Sequence, residues 1–315
     1  MNPVFEVLSP GLLDTVQDLG RWGHQRSGVP VTGAVDDFSL QVGNLLVGNP
    51  RGAACLEMAL RGPQLRAASD VVVALCGADL GASLDGEPAP RWKSVAVRAG
   101  QVLSFAQTHA GTWGYLCIAG GIEVLTVLGS RSTCLRGRFG GFDGRALRPG
   151  DTLAAGTPSR GARAGRFLRP SDVPVYGTHA VVRAVPGPQA GRFEGHALDT
   201  FFSARYTVSR RADRMGYRLE GPVLAAEGGH DILSAGVVAG AVQVTGDGAP
   251  IVLLADRQAT GGYVLIAVVA SADLARLAQL APGSTLSFSR ATVDEALAAA
   301  RRREEFLATI EAGAR

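Results

Sequence analysis

The sequence predicts a mainly β chain: two tandem barrel-like domains with few short helices and a C-terminal helix. Three observations carry this. Glycine supplies 42 of 315 residues, about twice the usual ~7%, and it falls between short apolar runs as turn residues do. Those runs are four to seven residues long and contain many β-formers. Several short segments also recur in the two halves of the chain, as a duplicated architecture requires.

Phe5 to Leu8 opens as a strand and ends at Ser9-Pro10-Gly11. The segment from Asp14 through Gly23-His24 to Asp36 is too polar and glycine-broken for a core element, so it is expected to be an ordered functional loop. Asp36 can cap a helix over Asp37 to Val47, which Gly48-Asn49-Pro50 stops. Strands are expected at Ala54 to Leu60, Val71 to Cys76, Ser94 to Arg98, Val102 to Phe105 and Trp113 to Ala119, with a hairpin turn at Asp85-Gly86. From Gly156 to Ala180 the pattern lapses. There Arg160, Arg163, Arg166 and Arg169 lie among Gly, Ala and Pro, either as a solvated mobile connector or as a surface that meets an anion. Strands resume at Ala180 to Val185 and Arg205 to Ser209. Thr292-Val293-Asp294-Glu295 is a capping box for the last helix, whose Leu297, Phe306, Leu307 and Ile310 can dock on the body.

Leu60-Arg61-Gly62-Pro63-Gln64-Leu65 matches Leu219-Glu220-Gly221-Pro222-Val223-Leu224, and Leu147 to Leu153 matches Leu280 to Leu286. Two related domains follow, over about 1–165 and 175–290, with the terminal helix extending the second to 315. A cleft between two such halves is the natural ligand site.

Composition excludes several functional classes. The 31 basic and 28 acidic residues are mixed along the chain for a net charge of +3, which gives no nucleic-acid footprint. Cys55, Cys76, Cys117 and Cys134 form no C-x-x-C pair and sit in apolar surroundings, as buried reduced thiols do. The start of the chain has neither the positive charge nor the apolar core of a secretory leader, and no apolar run approaches the ~20 residues that span a bilayer. A cytoplasmic protein is expected.

The chemistry concentrates in Gly240 to Tyr263. Short strands there enclose Thr245-Gly246-Asp247-Gly248 and then Ala255-Asp256-Arg257-Gln258-Ala259-Thr260. Arg can grip a carboxylate or phosphate through two parallel hydrogen bonds, Asp can fix that Arg or accept a proton, and Gln both donates and accepts. Gly261-Gly262 would let a ligand approach the backbone. The same residues could equally be an ion pair that ties down a surface loop.

With these segments in view, the chain resembles the allophanate hydrolase subunit 2 type, the carboxyltransferase-like module of urea amidolyases. Its free-standing members are the C subunits of 5-oxoprolinase, also called KipA. The resemblance runs over nearly the full length and rests on many matches in order. They are Pro10-Gly11, Thr15 to Arg21, Gly28-Val29-Pro30, Gly33 to Asp36, Asn44 to Asn49, Ala119-Gly120-Gly121, Leu128 to Ser132, Asp213 to Gly216, Ala255 to Gln258 and Gly261 to Tyr263. The chain departs from the family pattern at His24, Ala212, Thr245, Ala249 and Ala259, several of which lose a polar group.

The resemblance implies tandem cyclophilin-like β-barrels. It implies ATP-dependent opening of 5-oxoproline to glutamate in a complex with the B (KipI-like) and A subunits of 5-oxoprolinase, with ATP and Mg as cofactors. The site residues it suggests are Asp256, Arg257, Asp36 and Arg214 for catalysis. Gln17, Arg21, Gln243, Gln258, Tyr263 and Arg131 would bind substrate, and no metal ligand set is expected in this chain. An alternative is carboxyl transfer from carboxybiotin to urea or a related amide, and a third reading is a non-catalytic regulatory partner. Arg214 with Asp213, and Arg21 with Asp18, could each be a structural ion pair instead.

Overall fold

The computed structural model describes residues 2–193 and 195–313. It is mainly β and divides into two compact units. The first comprises Met1–Arg21, Thr32–Tyr176 and Phe306–Arg315, and the second Trp22–Val31 and Gly177–Glu305. The final helix therefore starts in the second unit and ends in the first.

The first unit holds β1 (Asn2–Ser9), β2 (Asp14–Gln17), α1 (Asp37–Leu46), β3 (Cys55–Ala59), β4 (Gln64–Ala67) and β5 (Val71–Asp79). It continues with β6 (Ala82–Leu84), β7 (Glu87–Pro88), β8 (Ser94–Val97), β9 (Val102–Phe105), β10 (Ala110–Ile118) and β11 (Thr152–Ala155). These strands form two sheets, ordered β11-β1-β4-β9-β6-β7 and β2-β3-β10-β5-β8. Phe5, Leu65, Leu103 and Leu153 of the first sheet meet Val16, Leu56, Val73, Leu116 and Ile118 of the second in one core. The central strands of the second sheet are buried on both faces, which explains why β5 reads as a continuous apolar run.

Helix α1 covers the outer face of β5 and β10. Asp36 caps it as the sequence predicts, its Oδ1 accepting from the Ser39 N–H at 2.9 Å. Gly43 sits mid-helix because a Cβ there would lie only 2.6 Å from Cys117 Sγ. The Asp85-Gly86 turn joins β6 to β7 with both residues at positive φ, 50° and 89°, the requirement of a tight type I′ hairpin.

The second unit holds β12 (His179–Pro186), α2 (Gly195–Ser203), β13 (Arg205–Val208), β14 (Gly216–Glu220), β15 (Asp231–Gly236) and β16 (Ala241–Val244). Then come β17 (Pro250–Leu253), β18 (Thr260–Tyr263), β19 (Leu265–Val269), α3 (Ser271–Ala278), β20 (Thr285–Arg290) and α4 (Val293–Gly313). Seven strands close into a barrel in the order β12-β19-β16-β17-β14-β13-β20. Closure comes from parallel pairing of β12 and β20, His179 with Thr285 through Ala184 with Arg290. Alternating Ala180, Val182 and Ala184 point inward, and Phe201 of α2 stacks on Phe288 with ring centroids 4.4 Å apart. Strands β15 and β18 form a separate, largely exposed ribbon.

Two helices escaped the sequence reading. Nothing was expected between Val185 and Arg205, where α2 lies, and α3 follows β19 after a single residue. An ion pair from Arg183 to Asp273 (Nε–Oδ2 2.8 Å) holds α3, and the Tyr217 hydroxyl donates to its Ala278 carbonyl at 2.6 Å. The Gly156–Ala180 segment is also pinned where it passes β8. Ser94 N donates to Arg166 O at 2.8 Å and Gly165 N to Ser94 O at 2.9 Å. No helix among the described residues is long and apolar enough to cross a membrane.

The capping box is formed: Glu295 Oε2 accepts from Thr292 N at 2.8 Å and Thr292 Oγ1 from Glu295 N at 3.2 Å. Thr292→Ala should lower unfolding free energy by about 1 kcal/mol. Urea denaturation would show it as a lower midpoint with unchanged slope; an unmoved midpoint would mean that α4 does not depend on this cap.

Candidate functional site

The adjacent strands β14 and β17 place the chain before one beside the chain after the other. Leu254 N donates to Met215 O and Asp256 N to Arg214 O, both at 2.9 Å. This backbone stitch aligns the side chains. Arg214 Nε and Nη2 reach Asp256 Oδ2 and Oδ1 at 2.9 and 3.0 Å, a two-pronged ion pair with the arginine only 3% exposed. Removing one partner of such a pair strands a buried charge and typically costs ~3–5 kcal/mol. Asp213 is not the partner. Its Oδ1 instead accepts from the N–H groups of Met215 and Gly216.

Arg257 is next in the chain and differs in kind. It is buried, its Nη1 donates to the Leu254 carbonyl at 3.2 Å, and its Nε has no hydrogen-bond partner. No carboxylate pairs with it among the described residues. Burial alone holds its pKa below the ordinary arginine value. A buried cation with a free donor and no counter-ion among the described residues can receive an anionic group.

Gln243 on β16 is also buried, with Nε2 lacking a partner. Gly261 of β18 lies against it: a Cβ there would come 2.4 Å from that nitrogen. The glycine thus leaves the amide its room. Gln258 and Tyr263 are exposed. The second unit therefore brings Arg214, Asp256 and Arg257 together, buries Gln243 on a neighbouring strand, and leaves Gln258 and Tyr263 at the surface.

In the first unit, β2 runs into a polar knot. Asp18 Oδ1 accepts from Gly20 N, Ser130 Oγ and Ser132 Oγ, and its Oδ2 from Arg131 N. Arg21, fully buried, donates Nε to Val127 O (2.9 Å), Nη1 to Thr32 Oγ1 (3.0 Å) and Nη2 to Ser132 O (2.8 Å). Its guanidinium lies over the Phe139 ring. Asp18 and Arg21 are therefore not an ion pair; each draws most of its partners from the 127–132 loop. Gln17 donates to Thr15 Oγ1 and Thr133 O, while its Oε1 is buried without a partner. Arg131 donates Nε to Val124 O.

Asp36 stands apart from that knot. Besides capping α1, its Oδ2 accepts from Ser39 Oγ at 2.6 Å and Tyr176 Oη at 3.4 Å. Its N–H donates to Tyr115 Oη, which donates on to Glu57 Oε2 at 2.7 Å. Burial first, and then the charges of Glu57 and Asp36, push the Tyr115 phenol well up. Sequence reading missed Glu57, although an acid inside the apolar run Cys55–Ala59 is the signal of a buried, satisfied carboxylate.

The family model of the carboxyltransferase domain, subdomain A and B, matches residues 27–290. The chain belongs to that family. It is 36% identical over 303 residues to the 5-oxoprolinase C subunit of Escherichia coli K12, covering 96% of each chain. It is 37% identical over 295 residues to the 5-oxoprolinase C subunit of Haemophilus influenzae, covering 93% of each. Among solved structures, it superposes on the K. lactis urea amidolyase with a TM-score of 0.93 and 30% identity, over 99% of this chain and 20% of that enzyme. It thus spans a fifth of the length of the fungal enzyme.

One further buried acid of this carboxyltransferase-family chain was not singled out by sequence. Asp14 on β2 is 1% exposed with Oδ1 unpartnered. Burial raises its pKa from 3.8 to about 7, against the Gly11 N–H and Arg61, which lower it. A folded-state value above the unfolded one means the native chain holds the proton more tightly. Asp14 therefore favours folding at low pH, and that contribution is lost as pH rises from about 4 to about 7. Asp14→Asn should remove this decline and be more stable than the parent above pH 7, by up to about 4 kcal/mol. Parallel urea titrations at pH 5 and pH 8 would read it; equal pH dependence in both proteins would refute it.

Asp36→Asn keeps an acceptor for the Ser39 N–H, so it should retain most of the stability that Asp36→Ala loses, about 1–2 kcal/mol. Thermal melts of the pair would separate the cap from any role of the charge.

Proposed function

We propose that this chain is the C subunit of an ATP-dependent 5-oxoprolinase. Acting with the B and A subunits, it would take part in converting 5-oxo-L-proline, ATP and water to glutamate, ADP and phosphate. The observation that carries the reading is the coextensive match to two proteins named as C subunits of 5-oxoprolinase, over 93–96% of both partners.

The geometry of the second unit supports it. A lactam amide resists hydrolysis because resonance weakens its electrophilicity and its nitrogen leaves poorly. ATP would supply a phosphoryl group to the lactam oxygen, which makes the ring carbon a better electrophile. Water can then add there, the C–N bond can break with the nitrogen taking a proton, and phosphate can leave on hydrolysis. Such a site needs a cationic donor for substrate carboxylate or phosphate in a partly dry setting, and Arg257 has this character. The Arg214–Asp256 pair fixes the backbone on which Arg257 stands, so its role is positioning. The unpartnered Gln243 amide can donate to a carbonyl oxygen, and Gln258 and Tyr263 are accessible to a substrate. Arg21, Arg131, Gln17 and Asp36 spend their polar groups mainly on holding the first unit together. No group of three or more His, Cys, Asp or Glu that could hold a metal occurs among the described residues.

A second reading is favoured by the family model and by the fungal enzyme: transfer of a carboxyl group from carboxybiotin to urea or a related amide. It would use the same Arg257 and Gln243, with biotin carried by another chain. A non-catalytic regulatory role would use neither.

Reconstitution with the B and A subunits separates these readings. ADP release that needs both this chain and 5-oxoproline is expected, and Arg257→Ala should reduce it on the order of 10²-fold with the complex still formed. Release independent of 5-oxoproline but stimulated by urea and a biotin carrier would select the second reading. Full turnover in Arg257→Ala would remove this arginine from the mechanism.

A further inference from the structure

The first unit contains a cavity of about 560 Å³, within the usual size range of small-molecule sites. One wall is the Arg163–Arg169 loop; another is the end of α4, with Phe306 and Ile310, and Leu46 of α1 adds to it. Phe306 is held in place by stacking on Phe38, ring centroids 6.1 Å apart. None of the residues placed in the second unit's cluster lines it.

The loop is rigidly built. Buried Ser94 anchors it from both sides: its N–H donates to Arg166 O at 2.8 Å, its Oγ accepts from Arg166 N at 3.0 Å and donates to Arg163 O at 3.1 Å. Arg166 itself lies in a slot opened by Gly48, where a Cβ would stand 3.2 Å from its Nη1. Yet its guanidinium makes no hydrogen bond, and both Nε and Nη1 are buried without a partner. Desolvation, and then the neighbouring Arg163 charge, hold its pKa below the ordinary value. The nearby acids are already engaged: Asp172 pairs with Arg169 at 2.7 Å, and Glu311 of α4 pairs with Arg51 at 2.9 Å. Among the described residues, Arg163 and Arg166 thus have no counter-ion at the mouth of a pocket walled in part by Phe306, Ile310 and Leu46, beside Phe167, which is 62% exposed.

Two buried guanidinium nitrogens without acceptors, Nε and Nη1 of the half-buried Arg166, are costly unless something supplies them. We infer that this cavity is a binding site for an organic phosphate with a planar or apolar body, of about nucleotide size. The phosphate would meet Arg166 and Arg163, whose forked donors match its oxygens. The body would lie against Phe167, Phe306 and Ile310. The inference goes beyond the oxoprolinase reading and does not rest on it.

The test is direct binding to the full chain alone, without partner subunits or turnover, by titration calorimetry with AMP, adenosine and inorganic phosphate as probes. AMP should bind saturably, and adenosine and phosphate each at least roughly tenfold more weakly, since each fills half of the site. Arg166→Met keeps the length and removes the charge. It should weaken AMP at least roughly tenfold, with a melting temperature equal to or above the parent's, because two buried donors without acceptors have been removed. Arg163→Gln, at the exposed rim, should weaken AMP severalfold without changing the melting temperature, and it decides the matter if Arg166→Met does not fold. Three outcomes would overturn the inference. They are no saturable AMP binding at millimolar concentration, phosphate binding as tight as AMP, or AMP affinity unchanged in the variants. A failure here leaves the reconstituted oxoprolinase assay untouched, and a failure of that assay leaves AMP binding untouched.

Discussion

Parallel strands cannot be joined by a tight turn, so the pairing of β12 with β20 forces the chain between them to travel a long way before it returns. All the other barrel strands are strung along that excursion, and closing the ring leaves none of its seven strands with an unpaired edge. The consequence reaches the polar groups. With β14 and β17 locked as neighbours, the residues just outside them have little choice of partner. Arg214 and Asp256, distant in sequence, meet through both backbone and side chain. Arg257 is then carried into the interior by its position in the chain, with only a carbonyl to receive it.

The first unit solves a different problem. Its middle strands are covered on both sides, so every polar group entering the layer must be satisfied there. Asp18 collects donors from the backbone and from two serines, Arg21 distributes its protons to carbonyls and a threonine, and Tyr115 links Asp36 to Glu57. These arrangements hold irregular chain, residues 127–133 and the start of α1, where no ladder of backbone bonds exists to hold it. Conspicuous charged residues in a glycine-rich loop can thus be scaffolding, while a less conspicuous arginine with missing partners carries the stronger signal for a ligand.

How much of this could be read from the sequence follows from the range of each interaction. Local devices were readable: the Asp36 cap, the Asp85-Gly86 turn and the Thr292–Glu295 box each depend on a few consecutive residues. The β-rich class was readable for the same reason, from short apolar runs set between turn residues. The short helices α2 and α3 were not, because what holds them is distant: Phe288 for one, Arg183 and Tyr217 for the other. Adjacent residues also misled. Asp18 with Arg21 and Asp213 with Arg214 look like ion pairs in a string of letters, but the backbone aims Arg214 and Asp18 toward partners about 40 and over 100 positions away. The same holds for the run of arginines after Gly156, which suggested a solvated connector until Ser94 was seen to anchor it. Absence of a partner, the property that distinguishes Arg257 and Arg166, is visible only in three dimensions.

The four cysteines give the molecule a built-in gauge of its own opening. Cys55, Cys76, Cys117 and Cys134 are 0–2% exposed, so a reagent meets none of them in the closed chain, and burial pushes the Cys55 and Cys76 thiols well up besides. Alkylation can proceed only through fluctuations that part the sheet from α1 or lift the loop around Cys134. The speed at which a thiol reagent consumes these sulfurs therefore reports how often the first unit breathes. The second unit has no cysteine at all, so it stays silent in the same measurement, and the opening of the first can be timed by itself within one intact chain.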